Sequence, residues 1–466
     1  MTGMSRWLSG AAAAGALAGG LIVLGALLAA APQLILVPLT GSVVIIILLA
    51  TRRVLILWDL LAFVLGGLMV LGYGFVNIGV LPGVPIPLAD LVVVGMGAYV
   101  VLSTPFRGAI RTPLVFAAVY LTIATARLVV DYRTWGMDAV RDYSTAIELF
   151  ALPVGYWSMR RFGLERWLRV VGVISIIAAA YALLFPFRTT LAMLSPTVGL
   201  QQPVPLLGFY SGAGVAAGFF ASVILRPYGK RSLLLAALFL PAIAIQQSRG
   251  MMIAVPLAML VIFFGSGRLA GRLRRATAVV VVMGVGALAL TFSAAPQGRL
   301  GPTNVRQITS QLQTLNGGQG PGAGTFRVRT QWFSSVVTRV DAHPLGWAIG
   351  LGLGPDLTNG FATGAVLVRK PHDDYLEAYA RLGVFGLAAL VLLIGSAIIP
   401  IFRAARARSD RAADFLWWVV AVTIVYTLVA ATQPLFAYAY GTIPLFATLG
   451  AGLALVGARG ADRPDA

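Results

Sequence analysis

Apolar and polar residues alternate along this chain in long blocks. Apolar runs of about eighteen residues or more, each long enough to cross a bilayer as a helix, recur along nearly the whole length. Strands of a β-barrel are excluded, because they would be only about ten residues long with alternating polarity. The pattern predicts an all-α polytopic membrane protein with about fourteen transmembrane helices. The candidate spans lie near 8–30, 34–50, 54–73, 88–105, 112–130, 144–159, 166–186, 206–225, 232–247, 250–267, 276–293, 374–402, 413–431 and 434–457.

One long polar segment, residues 294–373, interrupts this pattern. Apolar residues recur at helical spacing in 303–316, which predicts a short amphipathic helix on the membrane surface. A second helix is expected over 326–342, followed by a glycine-rich stretch over 344–354. We therefore divide the chain into three parts. These are eleven transmembrane helices over 1–293, an extracytoplasmic catalytic loop over 294–373, and three transmembrane helices with a cytoplasmic tail over 374–466.

Basic residues indicate the orientation of the spans, because they concentrate in every second connection. The positive-inside rule then places both termini in the cytoplasm and the 294–373 loop outside it. The apolar run after Arg6 is longer than the core of most cleaved signal peptides, so we expect an uncleaved first span, although Ala29-Ala30-Ala31 leaves cleavage open. The basic connections contain Arg52, Arg53, Arg107, Arg111, Arg160, Arg161, Arg166, Arg169, Arg226, Lys230, Arg231, Arg268, Arg272, Arg274, Arg275, Arg403, Arg406, Arg408 and Arg411.

Composition narrows the class of protein further. Apolar residues make up 59% of the chain and charged residues 11%, with a mean hydropathy of +0.88. A net charge of +19 would suggest nucleic acid in a soluble protein. Here membrane topology and anionic lipid account for it, so membrane lipid is expected as a partner and nucleic acid is not. There is no cysteine, which excludes disulfides and zinc–thiolate sites.

Three arginines on the external side are candidates for binding an anion. Arg249 lies in the short external turn Gln246–Gly250, where the positive-inside rule disfavours arginine. Its guanidinium either snorkels to the interface or holds a phosphate through paired hydrogen bonds. Arg327 and Arg329 open the second loop helix two residues apart, so at most one of them faces a common site. The alternative for either is a solvated helix face.

His372 is the candidate for proton transfer. It lies just before the next span, and a neutral imidazole with an ordinary pKa of about 6.5 can take a proton from a sugar hydroxyl. Asp374 is expected to be the N-cap of that span, with Glu377 completing a capping box. We therefore expect no metal ion and no cofactor, and a magnesium site at Asp373 and Asp374 is the weaker reading. His343 precedes a proline in a turn and is expected to be structural.

Three motifs in order resemble a known family. They are Ser248-Arg249-Gly250 before a span, an arginine-led helix running into His343-Pro344-Leu345-Gly346, and His372-x-x-Tyr375-Leu376 followed by Leu382-Gly383-x-x-Gly386-Leu387. Over about 245–390 this order is similar to the O-antigen ligase and Wzy-type O-antigen polymerase family of bacterial inner-membrane glycosyltransferases. The resemblance matches His372 to the family's essential histidine, and Arg249 and Arg329 to its two arginines. Asp373 departs from the family, which commonly has an amide or a small polar residue there.

The resemblance implies a metal-independent enzyme of the GT-C type in the cytoplasmic membrane, with its active site on the extracytoplasmic side. The donor would be a glycan on undecaprenyl diphosphate or a related polyprenyl carrier, and the acceptor a glycan or lipid-glycan. A polysaccharide chain-length regulator is a candidate partner. The sequence does not separate polymerase from ligase. A lipid-linked glycan flippase or another membrane transporter is the alternative, but few acids lie within the spans. A non-catalytic scaffold of wall assembly would tolerate loss of His372.

Overall fold

The computed structural model describes residues 54–79, 87–199, 204–246, 248–266 and 323–456 apart from 364–365, together with 297–298, 301–302, 309–310 and 313. The described chain is mostly helical. Three two-stranded antiparallel hairpins are its only sheets within these ranges, and they pair β1 with β2, β3 with β4 and β5 with β6. The predicted spans near 8–30, 34–50 and 276–293, the possible cleavage site and most of the 303–316 helix lie outside the described residues.

The elements follow the sequence in this order. The α-helices are α1 Val54–Leu71, α2 Tyr73–Val76, α3 Leu88–Ser103, α4 Arg111–Trp135, α5 Met137–Asp142, α6 Ser144–Glu148, α7 Ala151–Phe162, α8 Leu164–Leu183, α9 Arg188–Leu194, α10 Gly212–Phe220, α11 Ser232–Gln246, α12 Arg249–Gly265, α13 Ala323–Ala342, α14 Gly346–Ile349, α15 Asp374–Ala407, α16 Arg411–Ala430 and α17 Ala439–Val456. The strands are β1 Thr197–Val198, β2 Val204–Pro205, β3 Gln297–Gly298, β4 Gly301–Pro302, β5 Ala362–Thr363 and β6 Val366–Leu367.

Six helices among the described residues are long and apolar enough to cross a membrane. This agrees with the predicted all-α polytopic membrane protein, while the count of about fourteen spans stays a prediction. Four further apolar helices are shorter. The six spans are Gly108–Trp135, Leu164–Leu183, Gly229–Gln246, Asp374–Ala407, Arg411–Ala430 and Ala439–Val456.

The core of the protein is formed around α16 and α17. In the most apolar 18-residue stretch of each helix, 78% of α16 and 83% of α17 is buried, whereas only 33% is buried in the span that contains α4. A helix that is apolar all round is expected in such a central position, because every face can pack against a neighbour. α17 packs against α7, and α16 packs against α12 and α15. Residues 431–438 connect these two central helices, and 432–437 within this connection are called the 432–437 turn below.

Two predicted spans differ from the observed helices in an informative way. The span expected at 144–159 is divided into α6 and α7, and the buried Glu148 lies at the break. The long helix α15 is interrupted at Gly383, whose φ of 67° and ψ of −167° are not helical. A β-carbon at Gly383 would lie 2.0 Å from the carbonyl oxygen of Ala348, so only glycine admits α14 at this point.

Candidate functional site

His372 lies in a tight turn immediately before α15. Its φ of 59° is in the left-handed region, which few non-glycine residues adopt. The ring Nδ1 lies 3.0 Å from the carbonyl oxygen of Lys370. Because a carbonyl oxygen can only accept, Nδ1 carries the hydrogen, and the lone pair of the neutral ring is on Nε2. This tautomer is the one that a general base needs if Nε2 is to accept a proton.

The two acids after His372 have roles that differ from the prediction. Asp373, and not Asp374, is the N-cap of α15, since its carboxylate accepts hydrogen bonds from the backbone N–H groups of Tyr375 and Leu376, each at 3.0 Å. The expected capping box is therefore wrong. Glu377 is one residue too far from the true cap, and its carboxylate pairs with Arg381 and Lys370 instead.

Asp374 is buried and binds a different element. Its carboxylate accepts three backbone N–H groups of the 432–437 turn, from Leu435 at 2.7 Å, Phe436 at 2.6 Å and Ala437 at 3.1 Å. Successive N–H groups that converge in this way form a small anion-binding nest. The carboxylates of both Asp373 and Asp374 therefore accept hydrogen bonds from backbone N–H groups. Within the described residues, no cluster of three or more His, Asp or Glu side chains could hold a metal ion.

Helix α13 lies against the turn that contains His372. Trp332, one turn after Arg329 on the same face, is buried with its ring centroid 5.7 Å from that of His372. The positive charge of Arg329 acts on the carboxyl of Asp373, where it opposes the rise in pKa that burial causes. Arg327, two residues earlier, is exposed on another side of the helix. Of the two arginines, the structure thus brings Arg329 towards His372.

Arg249 begins α12 and is half-buried. The preceding Ser248 is in the N-cap position, but its hydroxyl makes no capping hydrogen bond. Instead it accepts a hydrogen bond of 2.6 Å from the side-chain amide of Gln433, in the 432–437 turn. A β-carbon at Gly250 would lie 2.3 Å from the Thr432 hydroxyl, so the glycine of the Ser-Arg-Gly motif allows this turn to approach.

The glycine-rich stretch after α13 packs against the broken part of α15. The backbone N–H groups of Leu351 and Gly352 donate to the carbonyl oxygens of Ala380 and Arg381, at 2.6 and 3.2 Å. The interruption at Gly383 creates the space for this contact. The stretch therefore has a structural use, and His343 lies exposed in the turn that precedes it.

A buried ionic cluster, which was not predicted from the sequence, stabilises this end of α15. Arg381 is only 3% exposed and contacts Asp142 at 2.8 Å and Glu377 at 3.0 Å. Asp131 and Asp142 also accept the backbone N–H groups of residues 353 and 354, at 2.7 and 3.0 Å. The spacing of four residues on α15 predicts the pair of Glu377 and Arg381, whereas Asp131 and Asp142 come from α4 and α5 and no local pattern indicates them.

A cavity beside this cluster is small. It measures about 30 Å³ and is lined by Tyr120, Asp142, Asp374, Glu377 and Arg381 among other residues. This volume is enough for a water molecule, and His372 is not among the lining residues. A glycan would therefore have to meet His372 from outside this cavity.

Comparison with known families agrees with the order of these motifs. Residues 232–391 match the family described as O-antigen ligase. This chain carries an O-antigen ligase domain. The match includes Arg249, α13 and His372, and it confirms the family resemblance inferred from the sequence. No curated protein matches the chain significantly. The O-antigen ligase domain ends within α15, so the 432–437 turn lies outside it.

Proposed function

We propose that this protein is a glycosyltransferase of the cytoplasmic membrane that moves a glycan from a polyprenyl-diphosphate carrier to an acceptor hydroxyl. The observation that carries the proposal is the environment of His372. Within an O-antigen ligase domain, its Nδ1 donates to a carbonyl and its ring lies against the helix that bears Arg329. Such an arrangement suits a fixed general base beside a cation.

In the proposed reaction, Nε2 of His372 takes the proton of the acceptor hydroxyl. The acceptor oxygen attacks the anomeric carbon of the donor sugar, and the bond from that carbon to the diphosphate oxygen breaks. The lipid diphosphate leaves with the electron pair, and Arg249 and Arg329 offset its growing negative charge. Attack on the side opposite the leaving group inverts the anomeric carbon.

The side of the membrane and the organisation of the chain belong to the same proposal. The catalytic loop is 294–373, on the extracytoplasmic side, between eleven spans over 1–293 and three over 374–466. Both termini are cytoplasmic. The acceptor is another lipid-linked glycan in a polymerase and a different envelope molecule in a ligase. No metal ion is proposed, and the hydrogen bonds of Asp373 and Asp374 to backbone N–H groups support this choice.

The experiment is a transfer assay with purified protein, lipid-linked glycan and excess chelator. Loss of a general base typically lowers the rate by about two to four orders of magnitude with binding largely kept. We expect His372→Ala to bind donor but to transfer it at this reduced rate, and His343→Ala to keep most activity as the matched control.

Three outcomes would contradict the proposal. Normal turnover of His372→Ala would exclude it as the base. Loss of wild-type activity in chelator would require a metal-dependent mechanism. Movement of lipid-linked glycan across vesicles without transfer, unchanged in His372→Ala, would favour the flippase alternative.

A further inference from the structure

Both ends of the proposed site connect to the same short turn. Residues 432–437 join the central helices α16 and α17. Gln433 in this turn bonds Ser248, the neighbour of Arg249, and Leu435 to Ala437 bond Asp374, two residues after His372. The turn lies outside the O-antigen ligase domain at 232–391.

We propose that Gln433 and Asp374 are positioning residues, which set the placement of Arg249 relative to His372. Gln433 binds the arginine motif, residues 248–250, to the rest of the 432–437 turn, and Asp374 binds the histidine motif, residues 370–374, to the same turn. This inference rests on the proposed function, because it assumes that Arg249 holds the leaving diphosphate and His372 takes the proton. Neither Gln433 nor Asp374 needs to touch the substrate.

The arginine motif is shaped for this contact. Ser248 is 5% exposed, and its hydroxyl accepts a hydrogen bond from Gln433. A serine in an N-cap position usually accepts from the helix's own N–H groups instead. Gly250 removes the side chain that would strike Thr432. Ser248 and Gly250 thus both allow the turn to lie close to the start of α12. Arg249 lies between them, so its backbone position is fixed relative to the turn.

The histidine motif is bound to the turn from both sides of His372. Before it, the ammonium of Lys370, which is 6% exposed, donates to the carbonyl oxygen of Ala437 at 2.9 Å. After it, Asp374 accepts the three N–H groups of the turn. These two attachments lie on either side of His372, whose backbone is left-handed, so they hold it in a conformation that it would not keep alone.

The turn itself is firmly held, as a positioning element must be. Leu435 and Phe436 are 1% and 2% exposed. The carbonyl oxygen of Phe436 accepts hydroxyl hydrogen bonds from Thr145 of α6 and Thr442 of α17, both at 2.8 Å. Because these bonds come from two different helices, the turn transmits a fixed geometry to both motifs.

A positioning role has a kinetic signature. A misplacement of about 1 Å between reacting groups can cost about a hundredfold in rate, while ground-state binding changes little. In a transfer assay with lipid-linked glycan, we expect Gln433→Leu, Ser248→Ala and Asp374→Asn to lower kcat by about tenfold to a hundredfold with little change in the donor KM. The double variant Ser248→Ala/Gln433→Leu should be no worse than either single one, since both remove the same bond.

Thr423→Val is the matched control, because Thr423 is also buried on α16 but its hydroxyl bonds only Val419 within the helix. It should match the wild type in kcat, KM and Tm. Asp374→Asn removes a buried charge, and if it does not fold, Gln433→Leu and Ser248→Ala decide the matter.

The outcomes separate this inference from the proposed function. If His372→Ala is inactive while Gln433→Leu and Ser248→Ala turn over normally, the positioning role is wrong and the general base stands. If these two variants raise the donor KM alone, they act in binding and the positioning role is again wrong. If His372→Ala is active, the proposed mechanism fails first.

Discussion

The backbone of His372 is unusual at the scale of a single residue. A left-handed conformation at a non-glycine residue costs on the order of 1–3 kcal/mol and persists only where the surroundings enforce it. Here the surroundings are Lys370 on one side and the Asp373 cap on the other. The sequence identified His372 as a candidate from its place before a span, but it could not show this conformation, since histidine has no local signal for it.

Substitution of single arginines tests whether the guanidinium groups of Arg249 and Arg329 bind the donor diphosphate. We expect Arg249→Ala and Arg329→Ala each to lose donor binding and turnover while the protein still folds. Lysine at either position should be partly tolerated, because a point charge cannot reproduce the planar fork that binds two phosphate oxygens. Arg327→Ala is the control on the same helix, since its side chain is exposed. Donor binding and transfer are the measurements, and full activity of both alanine variants would remove the proposed anion site.

At the scale of the element, α15 combines a cap, an ionic cluster and a break. Its existence and start were predictable from a long apolar run behind polar residues. The cap was misassigned by one residue, because adjacent aspartates satisfy the same pattern and only the fold decides which one bonds the turn. The contact of Arg381 with Asp142 was not predictable, since Asp142 belongs to another helix.

Removal of Arg381 from the buried ionic cluster should lower the stability of the folded protein. Arg381→Met keeps much of the volume but removes the nearest cation of the buried Asp142 and Glu377, which keep only Arg369 at 3.8 Å and Lys370 at 3.6 Å. Removal of one partner of a buried ion pair costs roughly 3–5 kcal/mol. Unfolding of the purified protein in detergent measures it as a marked fall in Tm. Arg411→Met is the control, since the Arg411–Glu165 pair is exposed and such pairs are worth about 1 kcal/mol or less. Equal effects of the two variants would show that the cluster adds no stability.

The break in α15 can be tested with one methyl group. Gly383→Ala would place a β-carbon 2.0 Å from the Ala348 carbonyl oxygen, at a φ of 67°, so α14 and the glycine-rich stretch must shift. We expect a lower Tm together with lower transfer activity. Gly395→Ala, in the same helix, meets nothing within 4 Å and should be neutral or slightly stabilising. A neutral Gly383→Ala would mean that the break does not depend on glycine.

At the scale of the whole molecule, apolar run length predicted most of the described helices to within a few residues. The run at 144–159 was an exception. Its helix breaks after Glu148, and Pro153, which has no N–H to donate to the carbonyl oxygen of Leu149, follows the break. The 432–437 turn gave no signal at all. It acts largely through backbone N–H and C=O groups, which every sequence possesses, so its role appears only when the chain is folded.

The predicted orientation is open to a direct test, since the chain has no cysteine. A single cysteine at Gly318, in the 294–373 loop, should react with an impermeant maleimide in intact cells or spheroplasts. A cysteine at Ser409, in the basic connection between α15 and α16, should react only after the membrane is opened. The reverse labelling pattern would place the proposed catalytic loop in the cytoplasm and exclude it as an external site.

The attachment of Ser248 and Asp374, in the two proposed site motifs, to a turn beyond residue 391 has a consequence for hybrid enzymes. A chimera that exchanges only the O-antigen ligase domain, residues 232–391, with that of a relative would join Ser248 and Asp374 of one parent to the turn of the other. We expect such a hybrid to insert and fold but to misalign the proposed base and the proposed anion site. The smallest segment that keeps both attachments intact runs from 232 through α17, past the end of the recognisable domain.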